Sequence, residues 1–195
     1  MHEKIKAGVM DAIRIRRVLD RMATEILERN RNLKNLVIIG VRTRGVHIAK
    51  RIARLIKEME GVEVPVGEMD ITLYRDDFSE HELKNMVKKT EIPFPVEKKD
   101  IILVDDVLFT GRTIRAAMDS LFDLGRAKSV QLLVLVDRGH RELPITADYA
   151  GKVLPTSHRE HVQVKLKELD NKDEVLITEP VEFKRNAPGR SRTRK

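Results

Sequence analysis

The stretch Ile101-Ile102-Leu103-Val104-Asp105-Asp106-Val107-Leu108-Phe109-Thr110-Gly111-Arg112-Thr113 constrains this chain more than any other. Four consecutive apolar residues with no alternation read as a strand buried on both faces, which places it in a parallel sheet covered by helices. Two adjacent acids leave that strand, and Thr110-Gly111-Arg112-Thr113 then opens a helix. A helix N-terminus offers free backbone N–H groups and the positive end of its dipole, so this turn can hold a phosphate. Gly111 permits close backbone approach, and the two threonine hydroxyls add donors. Carboxylates a sugar's length before a phosphate cradle suit a ribose 5-phosphate, whose hydroxyls they can accept. Taken alone, Asp105 and Asp106 also read as solvated loop residues or helix caps.

The rest of the chain alternates in the same manner. Ile15, Leu19, Met22 and Ile26 recur at helical spacing and predict a helix over 11–29. Leu36 to Gly40 is a second buried-type strand, followed by a helix over 43–59. Val62 to Tyr74 reads as one extended strand with Gly67 as a bulge, and the polar stretch 75–97 as a long arm or mobile loop. A helix over 113–124 ends at Gly125, and 130–136 is a further strand. Residues 138–156 read as loop, and 162–166 and 175–178 as short closing strands. The class is α/β, with a mostly parallel central sheet flanked by helices. In such sheets ligands gather beyond the carboxyl ends of the strands.

A second loop lies at that edge. Gly40-Val41-Arg42-Thr43-Arg44-Gly45 joins the 36–40 strand to its helix. Two arginines at a helix start oppose the dipole unless an anion is present. Val41, Arg42, Thr43 and Arg44 therefore suit a pyrophosphate. The rival reading of the acidic strand, a nucleotide-triphosphate-hydrolysing P-loop protein, needs G-x-x-x-x-G-K-[ST]. Gly40 to Gly45 is followed by Val46 and His47, with no lysine, and no G-x-G-x-x-G occurs. That reading fails.

The thirteen-residue string resembles the binding motif for phosphoribosyl pyrophosphate (PRPP) of type I phosphoribosyltransferases. The resemblance implies a small hood over the sheet and a long flexible arm. It also implies that Asp105 and Asp106 are catalytic and hold the ribose hydroxyls. Val104 to Thr113 (Val104, Asp105, Asp106, Val107, Leu108, Phe109, Thr110, Gly111, Arg112, Thr113) would bind ribose and 5-phosphate, with Val41 to Arg44 on pyrophosphate. Mg²⁺ would be carried mainly by PRPP, near Asp105 and Asp106. The arm from Tyr74 to about Thr90 would close over PRPP or serve in oligomerisation.

Together with Ile71 to Asp77 and the loop Val136 to Tyr149, the string is similar, over about 9–178, to the bifunctional family of pyrimidine-operon attenuation regulators and uracil phosphoribosyltransferases. That similarity implies conversion of uracil and PRPP to UMP and pyrophosphate. It further implies UMP-dependent binding to the leader mRNA of the pyrimidine operon, and a homodimer or higher homo-oligomer. Arg138, His140 and Arg141 become candidates for uracil, and Arg14, Arg17, Arg21 and Arg29 for RNA. Asp20, Thr24 and Thr146 depart from the family pattern, which expects a hydroxyl, a histidine and a basic residue there. An enzyme without RNA control and a non-catalytic UMP sensor stay open as alternatives.

Charge adds little to the RNA argument. Of the net +7, six charges lie in Lys184 to Lys195 (Lys184, Arg185, Arg190, Arg192, Arg194, Lys195), which leaves the remainder at +1. The expected organisation is a catalytic domain over 1–180 and a basic, disordered tail over 181–195, either merely solvated or a loose contact to a polyanion. Without cysteine, a secretory leader or a long apolar run, the sequence fits a cytoplasmic protein with no membrane span.

Overall fold

A computed structural model of the chain describes residues 3–72 and 90–181. Five strands form one parallel sheet in the order β3-β2-β4-β5-β6: β2 Leu36–Val41, β3 Val66–Met69, β4 Asp100–Leu108, β5 Ser129–Asp137 and β6 Tyr149–Val153. Three strands, β1 Glu3–Met10, β7 His161–Lys165 and β8 Glu174–Pro180, pair antiparallel in the order β1-β8-β7 and make the hood. The helices are α1 Ala12–Arg29, α2 Arg44–Glu60, α3 Arg112–Asp123 and the one-turn α4 Lys167–Asp170.

The continuous apolar runs do what their composition requires. Leu36, Ile38, Ile102, Val104, Leu133 and Leu135 point to one face, where they pack with Ile15, Leu19, Met22 and Ile26 of α1 and Ile48, Ile52, Leu55 and Ile56 of α2. The intervening Val37, Ile39, Ile101, Leu103, Leu132 and Val134 point to the other, against Ile114, Ala117 and Leu121 of α3. Alternation within a strand thus feeds two cores, and no polar face is left for water. The sheet stands between helical layers, and both β2 and β4 end at the same edge.

Several elements depart from the sequence reading. Two strands emerge that it did not contain, β1 within the polar start of the chain and β6 within the stretch read as loop. β1 buries only Val9 and Met10, and β6 is an edge strand containing Gly151, so neither carries a strong period-two pattern. The long strand over 62–74 is only Val66–Met69. Gly67 is not a bulge, because its pairing with Ile39 stays in register. A Cβ there would lie 3.1 Å from Ile92 and 3.2 Å from Phe94, so the crossing chain explains the glycine. β4 runs four residues past Val104, so both acids belong to the strand itself. The arm over Tyr74 to Thr90 falls almost wholly outside the described residues, and the basic tail from 182 onwards lies outside them. No described helix is long and apolar enough to cross a membrane.

Candidate functional site

Two glycines bring the two loops together. A Cβ on Gly40 would lie 2.4 Å from Val46 Cα, and one on Gly45 would lie 2.3 Å from the carbonyl oxygen of Val104 and 3.2 Å from Asp105 Cα. Neither position has room for a side chain. The start of α2 at Arg44, with Arg42 just before it, is therefore seated directly on the C-terminal half of β4, where Asp105 and Asp106 stand. The peptide between Arg42 and Thr43 is cis.

At the end of β4, Asp106 N–H donates to Asp105 Oδ1 at 2.9 Å, and Val107 N–H to Asp106 Oδ1 at 2.9 Å. Asp105 is buried, and Asp106 is partly buried. Burial pushes the Asp106 carboxyl above its usual range, offset in part by the hydrogen bond with Asp105 and by the charge of Arg44. A cation at this mouth therefore acts directly on the carboxylate pair.

The loop from Phe109 to Gly111 follows. Gly111 takes φ 95°, a left-handed conformation that few other residues adopt without strain, and so turns the chain into α3. The loop after β5 lies over it. Glu142 and Leu143 donate their N–H groups to Thr110 O at 3.0 and 3.2 Å, and Arg112 Nε pairs with Glu142 at 2.7 Å. Residues 142–145 thus pack against and hydrogen-bond the turn from Thr110 to Arg112.

The candidates for the base cluster together in that covering loop. Arg138 is buried, with its guanidinium carbon 3.9 Å above the Phe109 ring. Its Nε donates to Thr156 Oγ1 at 3.2 Å and its Nη2 to Ser157 O at 3.0 Å. His140 Nε2 donates to Thr156 O at 2.5 Å, and its ring lies 3.9 Å from that of His158. Arg141 is spent on the loop. Nε donates to Ile145 O at 2.9 Å, Nη1 to Phe109 O at 2.8 Å and Gly139 O at 3.2 Å, and Nη2 to Asp137 at 2.5 Å. This caging of Arg141 had no signal in the sequence, because a guanidinium announces itself but a ring of backbone carbonyls does not.

The four candidate arginines of α1 separate into two pairs. Arg14 and Arg17 are exposed and border a groove of about 280 Å³ with Met10, Gly151 and Lys152. Arg21 ties α1 to β6 through Ala150 O and Gly151 O at 3.1 and 2.8 Å, and also pairs with Glu25. Arg29 lies 5.1 Å from the Tyr149 ring centroid and 3.7 Å from Asp148. Asp20 is engaged by Arg16 at 3.0 Å, and Thr24 Oγ1 donates to Asp20 O at 3.1 Å. Thr146 is exposed.

Sequence reasoning passed over Asp170 and Glu68, the carboxylates that hold the loop arginines. Arg44 Nη2 donates to Asp170 at 3.1 Å, and Arg42 Nη2 lies 2.8 Å from Glu68. The acid-rich run Glu168 to Glu174 marked a carboxylate cluster around Asp170 without naming its partner, and Glu68 had no such signal.

The raised Asp106 carboxyl carries a consequence for stability. A carboxyl whose folded pKa exceeds its unfolded value favours the native state below the unfolded pKa, and that contribution is lost as pH rises through the folded pKa. At neutral pH the ionised group therefore opposes folding. Asp106→Asn is expected to raise Tm at pH 7 by a few degrees, with a smaller gain at pH 4.5, as read by differential scanning calorimetry. A lower Tm at pH 7 would contradict the burial argument.

Comparison with known proteins shows the family and the fold. The phosphoribosyl transferase domain family matches residues 10–169. The Bifunctional protein PyrR of Pelotomaculum thermopropionicum is 55% identical over 177 residues, covering 91% of this chain and 98% of that protein. The Bifunctional protein PyrR of Deinococcus radiodurans is 56% identical over 175 residues, covering 90% and 96%. Among solved structures, the hypoxanthine phosphoribosyltransferase of Trypanosoma cruzi superposes with a TM-score of 0.69 at 17% identity, covering 91% of this chain and 98% of that one. That of Staphylococcus aureus gives 0.65 at 19% identity, covering 88% and 92%. The two structures share the fold, and the two relatives share most of the sequence. The chain belongs to the phosphoribosyl transferase family, in its bifunctional PyrR group.

Proposed function

We propose that the chain transfers the phosphoribosyl group of PRPP to uracil, giving UMP and pyrophosphate, and that UMP in the same site governs its binding to the leader mRNA of pyrimidine genes. The observation that carries the catalytic half is the seating of Gly45 on Val104 and Asp105, which puts an arginine loop and a carboxylate pair at one mouth. In the reaction, the bond from the anomeric carbon to pyrophosphate breaks with its electron pair leaving on oxygen. A bond to a uracil ring nitrogen forms, and that nitrogen's proton is released. Positive charge develops on the sugar and negative charge on the departing group.

Each residue has a part in that scheme. Asp105 and Asp106 accept the ribose hydroxyls and steady the cationic sugar. Thr110, Gly111, Arg112 and Thr113 take the 5-phosphate on N–H and hydroxyl donors. Val41 to Arg44 hold the pyrophosphate, whose charge the guanidinium groups match. Among the described residues no three acidic or histidine side chains are placed to hold a metal ion. A magnesium ion would be carried mainly by PRPP, beside Asp105 and Asp106, in keeping with its preference for phosphate oxygens and water. Bound there, it supplies charge neutralisation on the pyrophosphate. The loop from Arg138 to Arg141 covers the position of the base, where Arg138 and His140 face Phe109 of the phosphate loop.

The regulatory half rests on the groove beside α1. Arg14, Arg17 and Lys152 present cations around a shallow surface, and Arg21 and Arg29 fasten that helix to β6. Arg16 takes up the charge of Asp20, so this acid does not stand free among the arginines. A homo-oligomer completes the reading, and the exposed Phe122 and Leu124 at the end of α3 supply apolar surface for it.

With radiolabelled uracil, PRPP and Mg²⁺, the protein is expected to form UMP, and Asp105→Asn/Asp106→Asn to lose about 100-fold or more of the rate. Turnover of hypoxanthine or guanine in place of uracil would overturn the acceptor assignment, and full activity of the double variant would overturn the mechanism. In gel shifts on its own operon leader, affinity is expected to rise with UMP and to fall about tenfold in Arg14→Gln/Arg17→Gln. Equal binding to scrambled RNA, indifferent to UMP, would leave an enzyme without regulation.

A further inference from the structure

Both loop arginines are already gripped by carboxylates from distant parts of the fold. Arg44 Nη2 donates to both oxygens of Asp170, at 3.1 and 3.3 Å. Asp170 is itself pinned. Its Oδ2 accepts from Leu166 N–H at 2.9 Å, and its own N–H donates to Leu166 O at 2.7 Å. Two turns further along α2, Arg51 binds Glu168 and Asp173 at 2.5 and 2.7 Å and fastens the same hood segment. On the other arm, Glu68 meets Arg42 at 2.8 Å and is held by Lys50 at 2.7 Å. The Nε atoms of Arg42 and Arg44 are buried without a hydrogen-bond partner. Each guanidinium is therefore charge-compensated but incompletely satisfied, a state that favours exchange of the carboxylate for a ligand with more acceptor oxygens.

We infer that Asp170 is a positioning residue of the pyrophosphate loop: it holds Arg44 in place until pyrophosphate arrives and then yields it. The inference rests on the assignment of Val41 to Arg44 to pyrophosphate. An arginine with no anion near it would be a half-buried, uncompensated cation, which is costly. The hood carboxylate removes that cost in the free protein. It also competes with the ligand, so it weakens the hold on pyrophosphate as a product and favours its release. Glu168 and Asp173 act differently, because their partner Arg51 lies two turns away from the loop.

The test is calorimetric titration of the full-length protein with sodium pyrophosphate in the absence of divalent cations. Asp170→Asn keeps an oxygen for Leu166 N–H and removes the charge, and its Kd is expected to fall about fivefold. Asp170→Ser, which also keeps a capping oxygen, is expected to shift the same way. Glu168→Gln should leave Kd at the wild-type value, and Asp170→Asn should add nothing in an Arg44→Gln background. Unchanged or weaker binding in both Asp170 variants, or an equal gain without Arg44, overturns this inference alone. A wild-type protein that does not bind pyrophosphate at all overturns the loop assignment and this inference with it.

Discussion

The contact on which the rest depends is that between Gly45 and the carbonyl oxygen of Val104. A Cβ at Gly45 would lie 2.3 Å from that oxygen, so only glycine lets α2 begin where it does. That seating fixes how far Arg42 and Arg44 stand from Asp105 and Asp106. The parallel pairing of β2 with β4, from Leu36 with Asp100 to Gly40 with Val104, supplies the rigid base beneath. A loop bearing two arginines and a carboxylate pair that belong to different βα units are thereby brought to one mouth.

Around this contact the protein distributes its charges as local partnerships. Arg42 has Glu68, Arg44 has Asp170, Arg141 has Asp137 and a ring of carbonyls, and Arg112 has Glu142. These pairs differ in what they leave available. Arg141 is fully used and staples the covering loop to the turn at Phe109. Arg42 and Arg44 each retain a buried Nε without a hydrogen-bond partner. Asp106 stands in the same field, its carboxyl raised by burial and restrained by Arg44.

Much of this was legible in the sequence, and the reasons are physical. β2, β4 and β5 are buried on both faces, so they appear as uninterrupted apolar runs. The amphipathic helices α1 and α2 show their buried stripe at helical spacing. The turn at Gly111 and the arginine loop between Gly40 and Gly45 follow from residue chemistry alone. What was lost lies at edges. β1 is exposed over six of its eight residues, and β6 is a five-residue edge strand with a glycine, so neither carries a distinct pattern. The partners Asp170 and Glu68 lie 126 and 26 positions from the arginines they hold, a juxtaposition no local pattern encodes. Gly40 and Gly45 stand in the sequence only as the flanks of the arginine loop, and the fold gives their meaning, the absence of a Cβ.

The central claim is that one mouth holds both phosphate-bearing ends of PRPP, the 5-phosphate at Thr110 to Thr113 and the pyrophosphate at Arg42 to Arg44. Phosphorus-31 NMR of PRPP with Mg²⁺ and the protein reads the two ends separately. All three phosphorus resonances are predicted to shift or broaden with wild-type protein. Thr110→Val/Thr113→Val should lose the response of the 5-phosphate first, and Arg42→Gln/Arg44→Gln that of the pyrophosphate. A response confined to one end in the wild-type protein, or one that ignores which loop is altered, would contradict the two-ended site.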